Sequence, residues 1–368
     1  MSTVLRLEEF ESVVDAANGV SEPQPCLICR GRISPWLQLP GDWRRPGTQA
    51  GYEVGWCTRC KLGRLQNILT AQEIEDAYRV PYIPHAPTGS FGSGPAAPTP
   101  FAARLMDRLV AWRPGTPDID ASWVRREFGD RTLRVCELGC GSGRLLEAFR
   151  AAGHRVVGVE PDAGAREIAQ GNGLQVYEGT AESLPESIVG QRFDVVLMHH
   201  VLEHCVDPRL ALERAWSLLE PDGTLVLETP NNEAIGLRWA GVAWPWLDIP
   251  RHLHFFTAGS LRQLCEESGF EVSSVGFRGF ARQFQPEWIE SEKQIARFFR
   301  QRHRRVSRWA GSWGGRWLLL AWTLLAPSKR RFDSVRVVAR RPKELGGRRS
   351  VTASLRTETR WVNEKIKG

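Results

Sequence analysis

The sequence predicts an α/β protein: a doubly wound, mostly parallel sheet, preceded by a small cysteine-bound module and opened by a helical insertion before its last strand. Three observations lead there. Residues 133–138 form a short apolar run. Gly139, Gly141 and Gly143 punctuate the turn after it, and residues 144–152 read as a helix stopped by Gly153. A second apolar run, 154–159, ends on Glu160. Such a strand–loop–helix–strand unit, with an acid about 20 positions after the glycines, has the shape of a nucleoside-binding βαβ unit. Second, Cys26-Leu-Ile-Cys29 and Cys57-Thr-Arg-Cys60 are matched C-x-x-C pairs. Third, residues 276–332 separate the last two predicted strands and are crowded with arginine and tryptophan.

The glycines let the backbone approach a ligand where a Cβ would clash. A carboxylate at a strand end, as at Glu160, can accept from both ribose hydroxyls. The spacing is E-x-G-x-G-x-G, starting at Glu137. A dinucleotide site wants G-x-G-x-x-G, to seat a pyrophosphate on the helix N-terminus. Here the third glycine comes one residue early, and an acid beside the loop suits a cationic ligand rather than a pyrophosphate.

On these residues the chain resembles the class I S-adenosylmethionine-dependent methyltransferases, over roughly residues 133–340. The resemblance implies a Rossmann-like sheet of seven strands, the last antiparallel, with S-adenosylmethionine as cofactor. It places Glu137, Gly139, Cys140, Gly141 and Gly143 along the cofactor, with Glu160 and Pro161 at its ribose. The loop after strand three commonly carries an acid for the adenine amino group. Thr180 stands in that place, with Ala181 and Glu182 as neighbouring contacts. His199 falls in the segment beneath the methionine end. A cysteine module ahead of such a core resembles bacterial methyltransferases of sugar, antibiotic and cell-surface polysaccharide pathways.

Cys26, Cys29, Cys57 and Cys60 have the ligand set of a tetrahedral structural Zn2+ site. Residues 1–69 are therefore expected to form a zinc-ribbon-like module. Thr70 and Glu73 make a capping box for a short helix. Residues 78–100, rich in Pro, Gly and Ser, read as a linker or lid, so Tyr78, Tyr82 and Phe91 are lid or packing residues. Residues 101–112 are amphipathic, with Leu105, Leu109 and Trp112 on one face. These segments make 70–132 a linker with cofactor-covering helices, before the methyltransferase domain at 133–340. Strand three is expected at 174–177 and strand four at 193–198. A helix capped by Asp207 and Pro208 follows. The turn 220–223 leads to strand five at 225–228. Thr257 caps a helix to Ser268, strand six is 270–275, and the last strand lies in 333–340.

The chain has 368 residues and a net charge of +7, which favours anionic partners without choosing among them. Residues 1–18 lack the apolar core of a secretory signal, so a cytoplasmic location is expected, with paired reduced cysteines binding metal. In the insertion, Arg297, Arg300, Arg302, Arg304, Arg305 and Arg308 precede Trp309, Trp313, Trp317 and Trp322. The apolar stretch 317–326 is too short to span a bilayer. Arginines and tryptophans beside a short apolar helix suit attachment to an anionic membrane surface; a hairpin packing on its own core or on a second subunit is the competing reading. The tail 341–368 is polar and expected to be disordered.

Methyl transfer from a sulfonium needs the acceptor aligned and its proton removed. His200, His204, His252 and His254 are the candidate bases, with Glu203 to orient one. His252 is preferred because it follows the aromatic segment 234–249. The acceptor is expected to be a small-molecule or glycan hydroxyl: a sugar, a lipid-linked glycan, a polyketide or a phenol. A nucleic-acid acceptor would call for a base-binding motif after strand four, where MHHVLEH stands instead. A non-catalytic binding module is disfavoured by the intact glycines and Glu160.

Overall fold

A computed structural model describes residues 24–47, 51–79, 105–106, 108–110, 115–300 and 311–343. The leader, most of the 78–100 segment, Trp112, Arg302, Arg304, Arg305, Arg308, Trp309 and the tail beyond 343 lie outside them. Among the described residues eleven strands form two sheets. The larger has seven strands: β4 (Arg134–Leu138), β5 (Arg155–Glu160), β6 (Val176–Glu178), β7 (Phe193–His199), β8 (Leu219–Pro230), β10 (Glu271–Arg278) and β11 (Ser334–Arg340). Their order is β10-β11-β8-β7-β4-β5-β6. The pairs β6–β5, β5–β4, β4–β7 and β7–β8 are parallel, and only β11 runs against its two neighbours. This is the expected sheet, reversing outward from β4 so that a crevice opens at the carboxyl ends of β4 and β7.

Alternation along β7 explains the layering. Val195 and Leu197 pack with Trp123, Leu145 and Phe149 on one face. Val196 and Met198 pack with Leu212, Leu261 and Leu264 on the other. A strand buried on both faces reads as a continuous apolar run because each side has its own helices. The helices are those the sequence signalled. Arg144–Ala151 follows the glycine loop. Pro208–Leu218 starts on Asp207, whose Oδ1 accepts from the Arg209 and Leu210 amides. Ala258–Glu267 starts on Thr257, which exchanges bonds with Ser260.

Several boundaries moved for physical reasons. Strand three is Val176–Glu178 rather than 174–177, because Leu174 still closes the preceding helix through its amide to Ala169 O. Strand five begins at Leu219: residues 220–223 bulge within it, Asp222 taking φ 62° while its amide donates to Arg341 O. Strand six runs on to Arg278, paired to Ser334, so the insertion begins three residues late. In the helical turns near 105–110, Met106 and Val110 are buried, whereas Leu105 and Leu109 face outward. The apolar stripe is thus one position away from the face that Leu105 and Leu109 define.

The smaller sheet changes the domain picture. Strands β1 (Ser34–Leu39), β2 (Tyr52–Trp56) and β3 (Gly63–Leu65) belong to the cysteine module. The fourth strand, β9 (His254–Phe255), comes from the far side of the chain and pairs antiparallel with β3, Arg64 opposite His254. Leu65 N also donates to Leu253 O. Arg209 Nη2 donates to Leu27 O at 3.0 Å. The module is therefore continuous with the core around residues 251–257. Residues 234–249 form the helix Ile235–Ala240 and two 3-10 turns. They fill the space between this sheet and the helix Pro286–Arg300, whose Trp288, Ile295, Ala296 and Phe299 are buried there.

The later part of the insertion is the helix Trp313–Leu324, followed by a short helix Ser328–Arg331 before β11. Its inner face carries Leu319, Leu320 and Thr323, and Arg316 is buried in an ion pair with Glu292. Its outer face carries Trp313, Leu318 and Trp322, followed by the exposed Leu325, Lys329 and Arg330. Trp317 is half-buried. Among the described residues no helix is long and apolar enough to cross a membrane.

Candidate active site and metal centre

At the carboxyl end of β4, Gly139, Gly141 and Gly143 all take left-handed φ, at 71°, 54° and 87°. A Cβ at Gly139 would meet Val201 Cγ2 at 2.5 Å, and one at Gly143 would meet Leu174 Cδ1 at 2.2 Å. Glycine is required at both by conformation and by space. Glu160, at the end of β5, closes this loop: Oε2 accepts from Gly141 N at 2.8 Å and Oε1 from Asp162 N at 2.9 Å. Glu137 is buried beneath the loop, and burial pushes its carboxyl well above the usual range. Its Oε2 has no hydrogen-bond partner among the described residues. An orphaned carboxylate oxygen at the foot of a glycine cradle fits a ligand carrying an ammonium group. Cys140 lies buried in the same loop, and Pro161 is exposed just past Glu160.

The loop after β6 is organised internally. Thr180 Oγ1 accepts from the amides of Glu182 and Ser183. Glu182 turns away to accept from Asp207 N at 2.8 Å. Ala181 is buried between them.

Where β7 ends, the chain turns sharply at His200, whose φ is 56°. A non-glycine residue in this region is uncommon and marks a position that the surroundings over-determine. The His200 amide is tied to Glu228 O at 2.8 Å. Its ring lies between two buried carboxylates, with Nδ1 3.1 Å from Glu203 Oε1 and Nε2 3.6 Å from Glu228 Oε1. It stacks on Trp246 at 4.7 Å and 12°. Burial opposes the charge, but the bonds and charges of Glu203 and Glu228 outweigh it and lift His200 to about 9. His200 is an imidazolium at neutral pH. Glu228 also pairs with Arg336 at 2.8 Å and with Arg278 at 3.2 Å. His199 Nε2 is 3.3 Å from the same carboxylate, yet burial prevails and holds its pKa down.

A second group adjoins the first. His204 and His252 meet edge to face at 4.6 Å, and they and Glu203 each offer a polar atom within 4.8 Å of the others. His252 Nδ1 donates to Trp246 O at 2.9 Å, and His204 Nδ1 lies 3.0 Å from Arg251 O and 2.8 Å from the Tyr78 hydroxyl. Burial pushes both imidazoles down to about 4, with repulsion from His252 adding to it at His204 and from His200 and Arg251 at His252. They are neutral at pH 7. His254 is buried on β9, near Arg64 and Phe256, and is pushed down to about 3 by burial. It stands in neither group.

The structure thus gathers His199, His200, Glu203, His204 and His252 at one end of the sheet and leaves His254 on the module side. Glu228 and Trp246 join them although sequence reasoning missed both as site residues. Glu228 sits at the end of strand five, where a lone acid in an apolar run was the available signal.

The four module cysteines offer sulfurs within 4.8 Å of one another. The two knuckles are built alike. The amides of Arg30 and Lys61 return to Cys26 O and Cys57 O, and those of Cys26 and Cys57 reach Gly31 O and Leu62 O. Arg30 and Lys61 take matching φ of 57° and 58°. Cys60 N points at Cys57 Sγ at 3.3 Å, and Cys29 and Cys57 sulfurs are 3.6 Å apart. All eight cysteines are free thiols. Four convergent sulfurs approached by backbone amides fit a closed tetrahedral metal centre.

A seven-stranded sheet of this order, with a glycine loop after its first strand and an acid ending the second, defines a Rossmann-like transferase fold. A methyltransferase-domain family matches residues 102–275. A ubiquinone biosynthesis O-methyltransferase of Ruegeria pomeroyi is 34% identical over 181 residues, 45% of this chain and 70% of that protein. One of Azorhizobium caulinodans is 35% identical over 155 residues, 39% of this chain and 60% of that protein. A solved S-adenosylmethionine-dependent methyltransferase from Thermotoga maritima shares 20% identity, covering 65% of this chain and 91% of that one with a TM-score of 0.40. The chain belongs to the class I S-adenosylmethionine-dependent methyltransferases, a family of enzymes.

Proposed function

We propose that this enzyme transfers a methyl group from S-adenosylmethionine to a hydroxyl oxygen of a small aromatic acceptor. The observation that carries this reading is the pair of neutral imidazoles, His204 and His252, beside Glu203 at the end of the strand that flanks the glycine loop. A neutral imidazole can take a hydroxyl proton at neutral pH. Oxygen as acceptor atom agrees with the names of the relatives, O-methyltransferases of ubiquinone biosynthesis. The half-buried Trp246 stacks on His200 and carries the Arg282 guanidinium over its ring at 4.7 Å, which holds the charged imidazole in place beside the neutral pair.

The cofactor supplies the electrophilic methyl carbon when bound. Glu137 would take its ammonium group and Glu160 its ribose hydroxyls, with Gly139, Cys140, Gly141, Gly143 and Pro161 giving close backbone approach. Ala181, with Thr180 and Glu182 shaping its loop, would border the adenine, and His199 would floor the methionine end. His252 would hold the acceptor's proton at Nε2, because Nδ1 is committed to Trp246 O. The charged His200 cannot take that proton; with Arg336 and Arg278 it offsets the charges of Glu203 and Glu228. To test this, the protein is incubated with S-adenosylmethionine and, separately, with 3,4-dihydroxybenzoate, phenol and methyl glucoside. Mass spectrometry should find a methylated product from the aromatic hydroxyls. Product from methyl glucoside alone would turn the reading toward a glycan acceptor.

Glu160→Ala should lower cofactor affinity. It removes two charge-assisted ribose bonds, each worth about 1.5–3 kcal/mol, and frees Gly141 N. Calorimetry is expected to show a loss of about tenfold or more. Unchanged affinity would place the ribose elsewhere.

Cys26, Cys29, Cys57 and Cys60 would hold one structural Zn2+. The outer face of Trp313–Leu324 would rest on an anionic membrane surface. Its tryptophans suit the headgroup boundary, and the exposed Lys329 and Arg330 beside it add about 1 kcal/mol each against an anionic leaflet. The protein should pellet with phosphatidylglycerol vesicles at low salt and be released at high salt, since charge attraction is screened. Trp322→Ser with Leu318→Ser should abolish pelleting; a wild-type protein left in the supernatant at low salt sinks this attachment.

A further inference from the structure

Residues 246–252 form the loop that aims His252, and a buried cluster of two aspartates and two arginines pins it. Asp248 takes φ 31°, and its Oδ1 accepts from Arg44 Nε at 2.8 Å and from Arg251 Nε at 3.0 Å. The Arg251 side chain is fully buried. Its Nη1 and Nη2 donate to Asp42 Oδ2 at 2.9 Å and Oδ1 at 2.8 Å, and Nη1 also donates to Ala77 O at 2.9 Å. Asp42 lies between β1 and β2, 209 residues away in the chain, and is itself 1% exposed. The backbone of the same loop meets the histidines. Arg251 O lies 3.0 Å from His204 Nδ1, which also meets the Tyr78 hydroxyl at 2.8 Å, Trp246 O takes His252 Nδ1, and Asp248 O takes the His252 amide.

An imidazole whose Nδ1–H is donated to a fixed carbonyl is held in one tautomer, with its Nε2 lone pair aimed away from that carbonyl. The carbonyls here are fixed only as well as the loop is. We propose that Asp42, on the cysteine module, is a positioning residue for methyl transfer: through the bidentate pair with Arg251 it sets the loop that fixes the tautomer and aim of His204 and His252. The charge balance carries the argument. With Asp42 present, two carboxylates face two guanidinium groups, and each has directed bonds. Without its charge, Arg251 and Arg44 share the single carboxylate of Asp248, so the Arg251 guanidinium re-aims and carries its carbonyl with it. The glycine loop has no part in this cluster, so the cofactor side is spared. The proposal rests on the reading that these histidines serve the acceptor, but its test needs no acceptor.

The full-length, metal-loaded protein is labelled with 15N-histidine, and ring tautomers are read by proton–nitrogen correlation. The wild type should show the Nδ1–H tautomer at both His204 and His252. Asp42→Asn keeps the shape and removes the charge; it should lose the single tautomer at both rings and give a mixture. Affinity for S-adenosylmethionine, by calorimetry, should be unchanged. Arg44→Gln leaves the buried pair intact and should shift His252 in the same direction but less, and it decides the matter if Asp42→Asn does not fold. Wild-type tautomers in the folded variants overturn the proposal. So does a parallel loss of cofactor affinity, which would make Asp42 a general structural residue. If His252→Ala retained full activity while the tautomers shifted as expected, the base assignment would fall and the positioning by Asp42 would stand.

Discussion

Replacing Cys57 with serine is expected to strip the metal from the module and to loosen the histidine side of the active site with it. A structural zinc centre of this type contributes about 10 kcal/mol or more to the folding of its module, so a module with three thiolates has little left to order it. The consequence travels because β3 pairs with β9, Leu65 N donates to Leu253 O, and the amides of Leu253 and His254 in turn donate to Glu203 O. Metal analysis should fall from about one zinc per chain to none. Hydrogen exchange should then speed up at residues 253–255 as well as at 52–65, while the amides of β4 and β5 keep their protection. A variant that kept its metal would refute the ligand set. One that lost metal with 253–255 still protected would show that the module and the histidine segment are held separately.

That coupling is the part of the fold least legible in the sequence. The βαβ unit, the caps at Thr70, Asp207 and Thr257, and the cysteine pairs are local signals, written within a few residues of where they act. Helix starts and strand ends therefore fell within a few residues of their observed places. The pairing of β3 with β9 has no local signature, since two residues of extended chain at His254–Phe255 look like any loop. Asp42 reads as an ordinary turn residue until Arg251 is found opposite it. Glu228 reads as the end of an apolar run, and its place among Arg336, Arg278, His199 and His200 follows only from strand order. The histidines show the same limit. Sequence spacing offered several candidate bases, and only the surroundings separate them: carboxylates on both sides charge His200, burial keeps His204 and His252 neutral, and β9 carries His254 away.

His252→Ala is expected to depress methyl transfer by about a hundredfold or more, the scale of a lost general base, with cofactor affinity retained. His252 is the candidate whose protonation state and aim both suit the task. It is neutral at pH 7 because burial holds it near 4, and its Nδ1 is occupied by Trp246 O. The pH dependence follows from the same shift. The unfolded histidine takes up a proton near 6.5 and the folded one only near 4, so the unfolded state binds more protons between those values. Stability is therefore full above pH 6.5 and declines as pH falls toward 4. His204 and His254 act in the same direction. His200 acts in the opposite one: its folded pKa is raised to about 9, so its contribution is present below 6.5 and lost as pH rises through 9. His252→Ala should remove part of the acid loss and none of the alkaline loss, which thermal melts across pH would read. Methyl transfer in the wild type should fail on the acid side as His252 gains its proton, and that limb should be absent from the residual rate of the variant. If His252→Ala keeps its rate and His204→Ala loses it, the neutral pair is still the base but the proton goes to its other member. If both keep their rate, neither imidazole takes the acceptor's proton.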